Sequence, residues 1–403
     1  MPVLTNIAEH LAPLVGSEFV VERNGVFVVS PKDIHEVAAI MGFADHHGLK
    51  VRSTGGRTKL TWGVAAKPQI EISLQRLNRV VDHPWQDLTC TVQGGCTWET
   101  LQQTLARHGQ FVALDPLWPS TATVGGICAT NDSGALRHRY GSLRDQVLGM
   151  TIVLADGTIA RTGGRVVKNV AGYDLPKLMV GSLGTLAVIT EVTFRLYALP
   201  RYAQSFTVAA ENAKKLAPLM QAIRDSHLAT QALQLRGDTS GFALDIQLNA
   251  HPEAKQEAML MGLARLHGMA INPSSPDVWT SREDLMNTPD AFLVKVTGKP
   301  SELPSKAVDV IQLGGRCVAQ AIGILYASFP NISQTYSALG SLYAHTDAGS
   351  MTVLSIPPNP QYNATPLWRA EEPSPLMAVV KHQFDPNQTL NPLAIEPVAQ
   401  PVR

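Results

Sequence analysis

Charge is scarce in this chain. Asp, Glu, Lys and Arg make up 16% of 403 residues, against ~25% in an ordinary soluble domain. The two signs also cancel, 33 basic against 33 acidic, so no broad field draws the protein to nucleic acid or an anionic membrane surface. So little charge fits large buried areas, or a partner subunit covering part of the surface. Cysteine is sparse as well: Cys90, Cys96, Cys128 and Cys317 are all there are. None has the close spacing of a zinc or iron–sulfur site, so no metal centre is expected within the chain. Unpatterned cysteines fit a reducing compartment. The most apolar stretch, Ala307 to Phe329, is broken by Asp309, Gln312, Arg316 and Gln320, which excludes it as a membrane span. The first residues, MPVLTNIAEHLAPLVG, lack the basic start and apolar run of a secretory signal. There is no low-complexity tract and no short repeat. The expectation is a soluble, cytoplasmic protein too long for one core, and so of at least two domains.

Patterning divides the chain. Phe27-Val28-Val29 reads as a strand, followed by Ser30-Pro31 as a helix cap and first helical residue. Ile34, Val37, Ala38 and Met41 then recur at helical spacing up to Gly48. Short strands are expected at Lys50-Val51, Gln69–Ser73 and Leu88–Val92, with a helix from Trp98 to His108 entered at Thr97 or Thr100. Leu114 to Gly134, rich in Pro, Gly, Ser and Thr, has little periodicity. Thr151–Leu154 and Ile159–Arg161 flank Asp156-Gly157, the pattern of a hairpin. After Pro200 the pattern changes to two β-α-β-β-like passes. The first has strands at Ser205–Val208, Leu233–Leu235 and Phe242–Leu248, with helices at Asn212–Arg224 and Glu253–Leu266. The second has strands at Phe292–Val296, near Arg316, and at Gly323–Phe329, with helices at Ser301–Val310 and Gln334–Tyr343. Such passes predict a separate α+β domain with a mainly antiparallel sheet. A proline-rich tail follows, with one helical stretch near Leu376–Gln383.

Three segments carry candidate chemistry. Ser53-Thr-Gly-Gly-Arg-Thr58 follows a strand and offers successive backbone N–H groups, side-chain hydroxyls and one basic side chain, a nest suited to a diphosphate. Its glycine spacing is neither that of a Walker loop nor of GxGxxG, and an ordinary glycine turn reads the same way. Pro119 to Gly126, continuing through Ala129, Thr130, Asn131 and Gly134, would let backbone lie flat against a planar ring. Its alternative is a surface loop, although Val124, Ile127 and Ala129 are apolar enough to be buried, and buried irregular backbone needs polar partners. Gly163 to Glu191, GGRVVKNVAGYDLPKLMVGSLGTLAVITE, joins a glycine loop, a helix capped by Asp174 with Pro176 in its first turn, and glycine turns at Gly181 and Gly184. A strand follows, with Leu186, Val188, Val192, Phe194 and Leu196 on one face and Glu191 and Arg195 on the other.

In this order the segments resemble the FAD-binding domain of the vanillyl-alcohol oxidase and p-cresol methylhydroxylase (PCMH) type. Within that group they are most similar to the flavoprotein subunits of bacterial glycolate oxidase or dehydrogenase. LDPLWPSTATVGGICATNDSG, RYGSLRDQVLGMTIVLADG and KNVAGYDLPKLMVGSLGTLAVITE carry the likeness, and GGxVxKNVAGYDLxxLMVGS is closest to the E subunit. The resemblance covers about residues 18 to 200 and the terminal FDPNQTLNP. It implies an α+β protein with a two-part PCMH-type FAD-binding domain over 18–200, an α+β cap domain with an antiparallel sheet over 201–356, and a segment over 357–403 returning to the FAD domain.

The resemblance further implies that the FAD diphosphate rests on Ser53, Thr54, Gly55, Gly56, Arg57 and Thr58. The isoalloxazine and its linker would lie along Pro116, Ser120, Thr123, Val124, Gly125, Gly126, Ala129 and Thr130, with Gly134 in the same segment, and the adenine end near Ile189. Relatives with covalent flavin carry His where this chain has Arg57, so noncovalent FAD is expected. Ala187 replaces the usual Gly. Catalytic D-type subunits carry HxGDGNxH in the cap; here His345-Thr-Asp-Ala-Gly-Ser350 keeps one His, which reads as structural. The basic cluster Arg137-His138-Arg139 could fork a carboxylate, pair with flavin phosphates or simply be solvated. No catalytic base is assigned. The expected function is an FAD-binding subunit of a glycolate/2-hydroxyacid dehydrogenase (oxidase) complex, acting on a small 2-hydroxy acid beside a sister flavoprotein and an iron–sulfur subunit. The alternatives are a noncatalytic flavin-fold partner and a stand-alone oxidoreductase acting on a sugar or lactone.

Overall fold

The computed structural model describes residues 7–62, 67–164, 174–249, 253–330, 350–356 and 375–391. The apolar alternation of the first 75 residues folds into a small mixed sheet. Its strands are β1 (Val20–Arg23), β2 (Val26–Val29), β3 (Val51–Thr54) and β4 (Ile70–Ser73), in the order β1–β2–β4–β3. β1 runs antiparallel to β2, whereas β2 and β3 both run parallel to β4. The helices Ile7–Val15 and Ile34–His46 cover it, burying Leu11, Val37, Ile40 and Met41 against Val29, Ile70 and Ile72. Each such side chain contributes about 1.5–3 kcal/mol when fully buried.

The helix at 34–46 is capped by Asp33, not by Ser30-Pro31 as its sequence suggests. The Asp33 carboxylate accepts from the N–H groups of His35 and Glu36 at 2.9 and 3.0 Å. Ser30 is occupied elsewhere, its N–H donating to Phe19 O and its carbonyl accepting from Arg76.

A second, wholly antiparallel sheet follows. It is built from β5 (Val80–Asp82), β6 (Thr89–Gln93) and, beyond the two-residue β7 (Gln110–Phe111), from β8 (Val147–Val153), β9 (Ile159–Gly163) and β10 (Val188–Arg195). The order is β5–β6–β10–β8–β9, and β11 (Tyr197–Ala198) pairs with β7. β8 and β9 form the hairpin expected around Asp156-Gly157. β10 alternates as its sequence predicts, burying Val188, Val192 and Phe194 and exposing Arg195. The pairing of β10 with β8 slips at Thr190, an extra residue between Ile189 and Glu191. This bulge turns the start of β10 away from regular pairing. The helix Trp98–Ala106 is entered at Thr97 and packs Trp98, Leu101 and Leu105 on this sheet's core.

The stretch 114–134 is not loop throughout: Val124–Thr130 is a helix. Tertiary contacts hold it, since Val124 N donates to Cys96 O at 2.9 Å and Gly125 N to Gly94 O at 2.7 Å.

The third sheet has eight antiparallel strands. They are β12 (Gln204–Ala210), β13 (Thr230–Asp238), β14 (Gly241–Leu248), β15 (Asn272–Ser274), β16 (Phe292–Thr297), β17 (Arg316–Gln320), β18 (Ile324–Phe329) and β19 (Met351–Ser355). Their order is β15–β12–β14–β13–β17–β18–β16–β19. Successive residues of a strand point to opposite faces, and the two faces here have different partners. Phe292, Val294, Leu325 and Ala327 join the core under the helices Ala213–Asp225, Glu253–Leu266 and Leu303–Gln312. Leu293, Ile324 and Tyr326 instead meet Trp62 and Leu117 of the first half of the chain. The second face is therefore one wall of an interior seam.

In the tail, the helix Pro375–Phe384 leads to a turn whose Leu390 bridges Val51, on the free edge of β3. Gln334–Tyr343 and all but the last residue of 345–350 lie outside the described residues, as do 165–173 within the glycine-rich segment. No helix among the described residues is long and apolar enough to cross a membrane.

Candidate functional site

β3 delivers the chain into the loop 55–58, and the chain takes an unusual path there. Arg57 has φ +59°, a left-handed conformation costly for a side-chain-bearing residue. Among the described residues the N–H groups of Gly56, Arg57 and Thr58 donate to no protein acceptor, which leaves a nest of free donors. Behind the loop, Glu71 on β4 is 2% exposed and accepts from Arg52, Thr54 and Arg57. Arg57 is thus tethered beside the nest, its side chain about half exposed.

The glycines here answer to close approach. A Cβ at Gly55 would lie 1.9 Å from Thr123 Oγ1, and one at Gly56 would lie 1.7 Å from Thr121 O. The Gly125 position meets Gly94 O at 3.0 Å and Ile189 O at 3.2 Å. Gly94-Gly95, directly after β6, were not singled out in the sequence, although a glycine pair at a strand end is a signal of close packing. A Cβ at Gly94 would sit 2.3 Å from Ile189 O.

One cleft results. Ser53, Thr54, Gly55, Gly56, Arg57 and Thr58 line it, together with Thr123, Gly125, Gly126, Ala129, Thr130 and Ile189. Pro116, Ser120, Val124 and Gly134 do not. Val124 packs in the core, Ser120 is exposed, and Gly134 is fitted to Asp115, its N–H donating to Oδ1 at 2.9 Å. Residues not anticipated as binding groups also line the cleft, among them Lys59, Trp62, Gly94, Leu183 and Asn391. Leu183 and Asn391 have φ +54° and +34°, so with Arg57 three residues of the cleft wall hold an unfavourable backbone. Ala187 lines it too and is fully buried.

The lining suits a flavin dinucleotide on the structure's own terms. Free N–H donors are what a diphosphate would need, and small residues on the 123–130 segment leave space that a flat ring system could take. Of the residues lining the cleft, Arg52 Nε, Thr123 Oγ1 and Asn391 Oδ1 are buried without a partner among the described residues. Such atoms are costly unless something hydrogen-bonds them.

Beside the cleft lies a buried ion cluster that joins the two halves of the chain. Asp132, fully buried, accepts from Lys59 at 3.1 Å, Arg282 at 2.9 Å and Leu117 N at 2.8 Å. Arg282, on the helix Ser281–Met286, also donates to Ser133 O and Asp115 O, both at 2.7 Å. Burial works against charge on Asp132, but Arg282 and Lys59 outweigh it and hold the carboxyl below its ordinary value. Burial lowers Lys59 despite Asp132. Arg137 and His138 lie on the helical turn Arg137–Tyr140, outside the cleft lining, and burial lowers both.

Asp115 behaves differently. Burial pushes its carboxyl up to about 6, against the pull of Arg282 and the Leu136 and Gly134 N–H groups. The folded chain therefore holds this proton more tightly than the unfolded chain, whose carboxyl titrates near ~3.9. The contribution is present in full below the unfolded value and is lost as pH rises through about 6. Asp115→Asn should remove that loss from the urea midpoint measured between those two pH values. Identical pH slopes in the two proteins would count against it.

Comparison with known proteins agrees with this geometry. A family model described as "FAD binding domain" matches residues 26–163. The chain is 37% identical over 176 residues to the mitochondrial D-lactate dehydrogenase [cytochrome] of Arabidopsis thaliana, covering 43% of this chain and 31% of that one. It is 32% identical over 186 residues to glycolate oxidase subunit GlcD of Bacillus subtilis, covering 46% and 40%. The chain thus spans less than half the length of these curated relatives. Among solved structures, p-cresol methylhydroxylase with substrate bound superposes with a TM-score of 0.71 at 13% identity, covering 94% of each chain. An alkyldihydroxyacetonephosphate synthase gives 0.69 at 17% identity, over 91% of this chain and 75% of that one. Residues 26–163 match the FAD binding domain model, and the α+β fold is the one p-cresol methylhydroxylase has.

Proposed function

We propose that the chain is an FAD-dependent oxidoreductase acting on a small 2-hydroxy acid of the glycolate or D-lactate class. We further propose that it works as one flavoprotein subunit of a cytoplasmic complex with a sister flavoprotein and an iron–sulfur subunit. The observation that carries this reading is the cleft itself, lined both by the loop whose N–H groups at 56–58 find no acceptor among the described residues and by the small-residue segment 123–130. The relatives named above act on such acids, and the fold match adds the PCMH architecture. When bound, FAD would supply the hydride acceptor for the substrate carbon bearing the hydroxyl.

The chain's own residues would do the rest. Gly56, Arg57 and Thr58 would hold the diphosphate through their N–H groups, with the Arg57 guanidinium adding charge. The small residues Gly125, Gly126 and Ala129 would leave room for the ring. Arg57 stands where covalent relatives carry His, which supports noncovalent FAD. Trp62 and Leu117, packed under Ile324 and Tyr326 of the third sheet, would keep water from that end. In this reading residues 18–200 form the FAD domain, 201–356 the cap and 357–403 a returning segment.

One observation favours a noncatalytic flavin-fold partner instead: similarity to the two curated relatives covers only 43% and 46% of this chain. Glycolate or D-lactate added to the flavin-loaded chain without oxygen separates the two readings. Bleaching of the flavin band by the chain alone supports turnover. Bleaching only after the sister subunit is added supports the partner role, and no bleaching in either case rejects the substrate class.

A further inference from the structure

The tail reaches the cleft through a set of ties outside residues 26–163, the part that the family model matches. Asp385, fully buried, accepts from Thr389 N at 2.7 Å and Leu390 N at 2.8 Å, closing the turn after the last helix. Lys381, paired with Asp385, donates to Thr185 O at 2.6 Å and Leu390 O at 3.0 Å. Lys50, directly before β3, donates to the carbonyls of Asn387 and Gln388 at 3.1 and 2.9 Å. Asp45 accepts from Thr389 Oγ1 at 2.8 Å. Two backbone bonds then splice the tail onto the edge of β3: Val51 N to Thr389 O at 2.7 Å, and Asn391 N to Val51 O at 2.6 Å. Their combined result is to set Asn391 in the cleft wall.

Asn391 is held there in one orientation. Its Nδ2 donates to Leu183 O, and because a backbone carbonyl only accepts, the amide nitrogen must lie on that side. Oδ1 then faces the other way, buried and without a donor among the described residues. Gly184 lies beside it at φ +70°, where a Cβ would be in ordinary contact, 3.9 Å from Asn391 Nδ2 and 3.5 Å from Ser53 Oγ. An oriented, unpaired acceptor in a cleft calls for a donor from whatever fills it.

We infer that residues 385–391 clasp the flavin nucleotide, and that Asn391 Oδ1 accepts a hydrogen bond from a hydroxyl or N–H group of the bound nucleotide. This rests on the reading of the cleft as the FAD site. Both halves of FAD carry such donors, the ribityl chain and flavin ring on one side and the adenosine on the other.

The test titrates the full-length apo chain with FAD, FMN and riboflavin by flavin fluorescence, for wild type and Asn391→Gly. Glycine suits the positive φ of this position, so backbone strain does not confound the result, and the melting temperature of the apo protein checks folding. The variant should bind FAD about ten-fold more weakly, the loss of one satisfied hydrogen bond to a buried acceptor. A loss shared by all three ligands places the donor on the ribityl and ring half; a loss confined to FAD places it on the adenosine. Unchanged affinity for every flavin overturns the assignment. A wild-type chain that binds none of them overturns the cofactor reading beneath it. FAD should also slow protease cleavage of the 385–391 segment in the unmodified chain, because ligand and clasp stabilise each other reciprocally. Equal cleavage with and without FAD would show that no clasp exists.

Discussion

Gly56→Val abolishes flavin retention while leaving the protein folded. The position has no room for any side chain: even a Cβ would meet Thr121 O at 1.7 Å and Thr121 C at 2.7 Å. Those atoms are backbone of the loop that leads into the 124–130 helix, so they cannot swing aside as a flexible side chain would. The loop 55–58 must move instead, which dismantles the arrangement of free N–H groups. Overpacking of this kind costs about 1–3 kcal/mol, and the misaligned donors add to it. FAD affinity should fall by at least about 100-fold, equivalent to ~2.7 kcal/mol. Visible absorbance of the purified variant and its far-ultraviolet circular dichroism report the two halves of the result. Gly262→Ala, on the helix Glu253–Leu266 and outside the cleft lining, is the control, because no described residue lies within 4 Å of a Cβ there. Stoichiometric flavin in Gly56→Val would remove this loop from the cofactor site.

Asp132→Asn carries the largest expected loss of stability. The carboxylate is fully buried between Lys59 and Arg282, whose side chains are 4% and 7% exposed. Neutralising it leaves two buried cations with an amide between them. Breaking a buried ion pair by removing one partner costs about 3–5 kcal/mol. The pH dependence has a definite sign. Asp132 titrates below its ordinary value in the folded chain, so its contribution is present above the unfolded value of ~3.9 and is lost as pH falls through the lower folded one. Urea denaturation at neutral pH should show the full deficit, and the gap between wild type and variant should narrow in acid. A neutral-pH deficit below about 1 kcal/mol, the scale of a surface pair, would mean that the cluster does not hold the two halves together.

The half-buried strands were legible because their alternation is local. β10 shows its buried Val188, Val192 and Phe194 directly in the order of residues, and the Asp156-Gly157 hairpin follows from two residues. The helix 124–130 was not legible. VGGICAT contains two glycines and β-branched residues, all weak helix formers, and its first turn is fixed by carbonyls of Cys96 and Gly94 some thirty residues away. Ser30-Pro31 fits the local signature of a cap, but the helix starts three residues later, where the Asp33 carboxylate takes the N–H groups of His35 and Glu36.

At the site, the loop 53–58 and most of 123–130 stood out by glycine content, whereas Gly94 was overlooked despite a readable Gly-Gly pair. Asn391 stood out only as a member of the terminal FDPNQTLNP, with no contact implied for it, and Arg282 left no signal. Each acts on a segment far away in sequence, Asn391 on Leu183 and Arg282 on Asp132, and no single-chain pattern encodes such a pairing.

The central claim is that this cleft holds FAD without a covalent bond. The direct measurement is flavin content: record the visible spectrum of the purified chain after incubation with FAD and gel filtration, then precipitate the protein with acid. The account predicts one FAD per chain and all of it in the supernatant. A chain that emerges colourless would contradict the site, and flavin that stays with the precipitate would contradict the role given to Arg57.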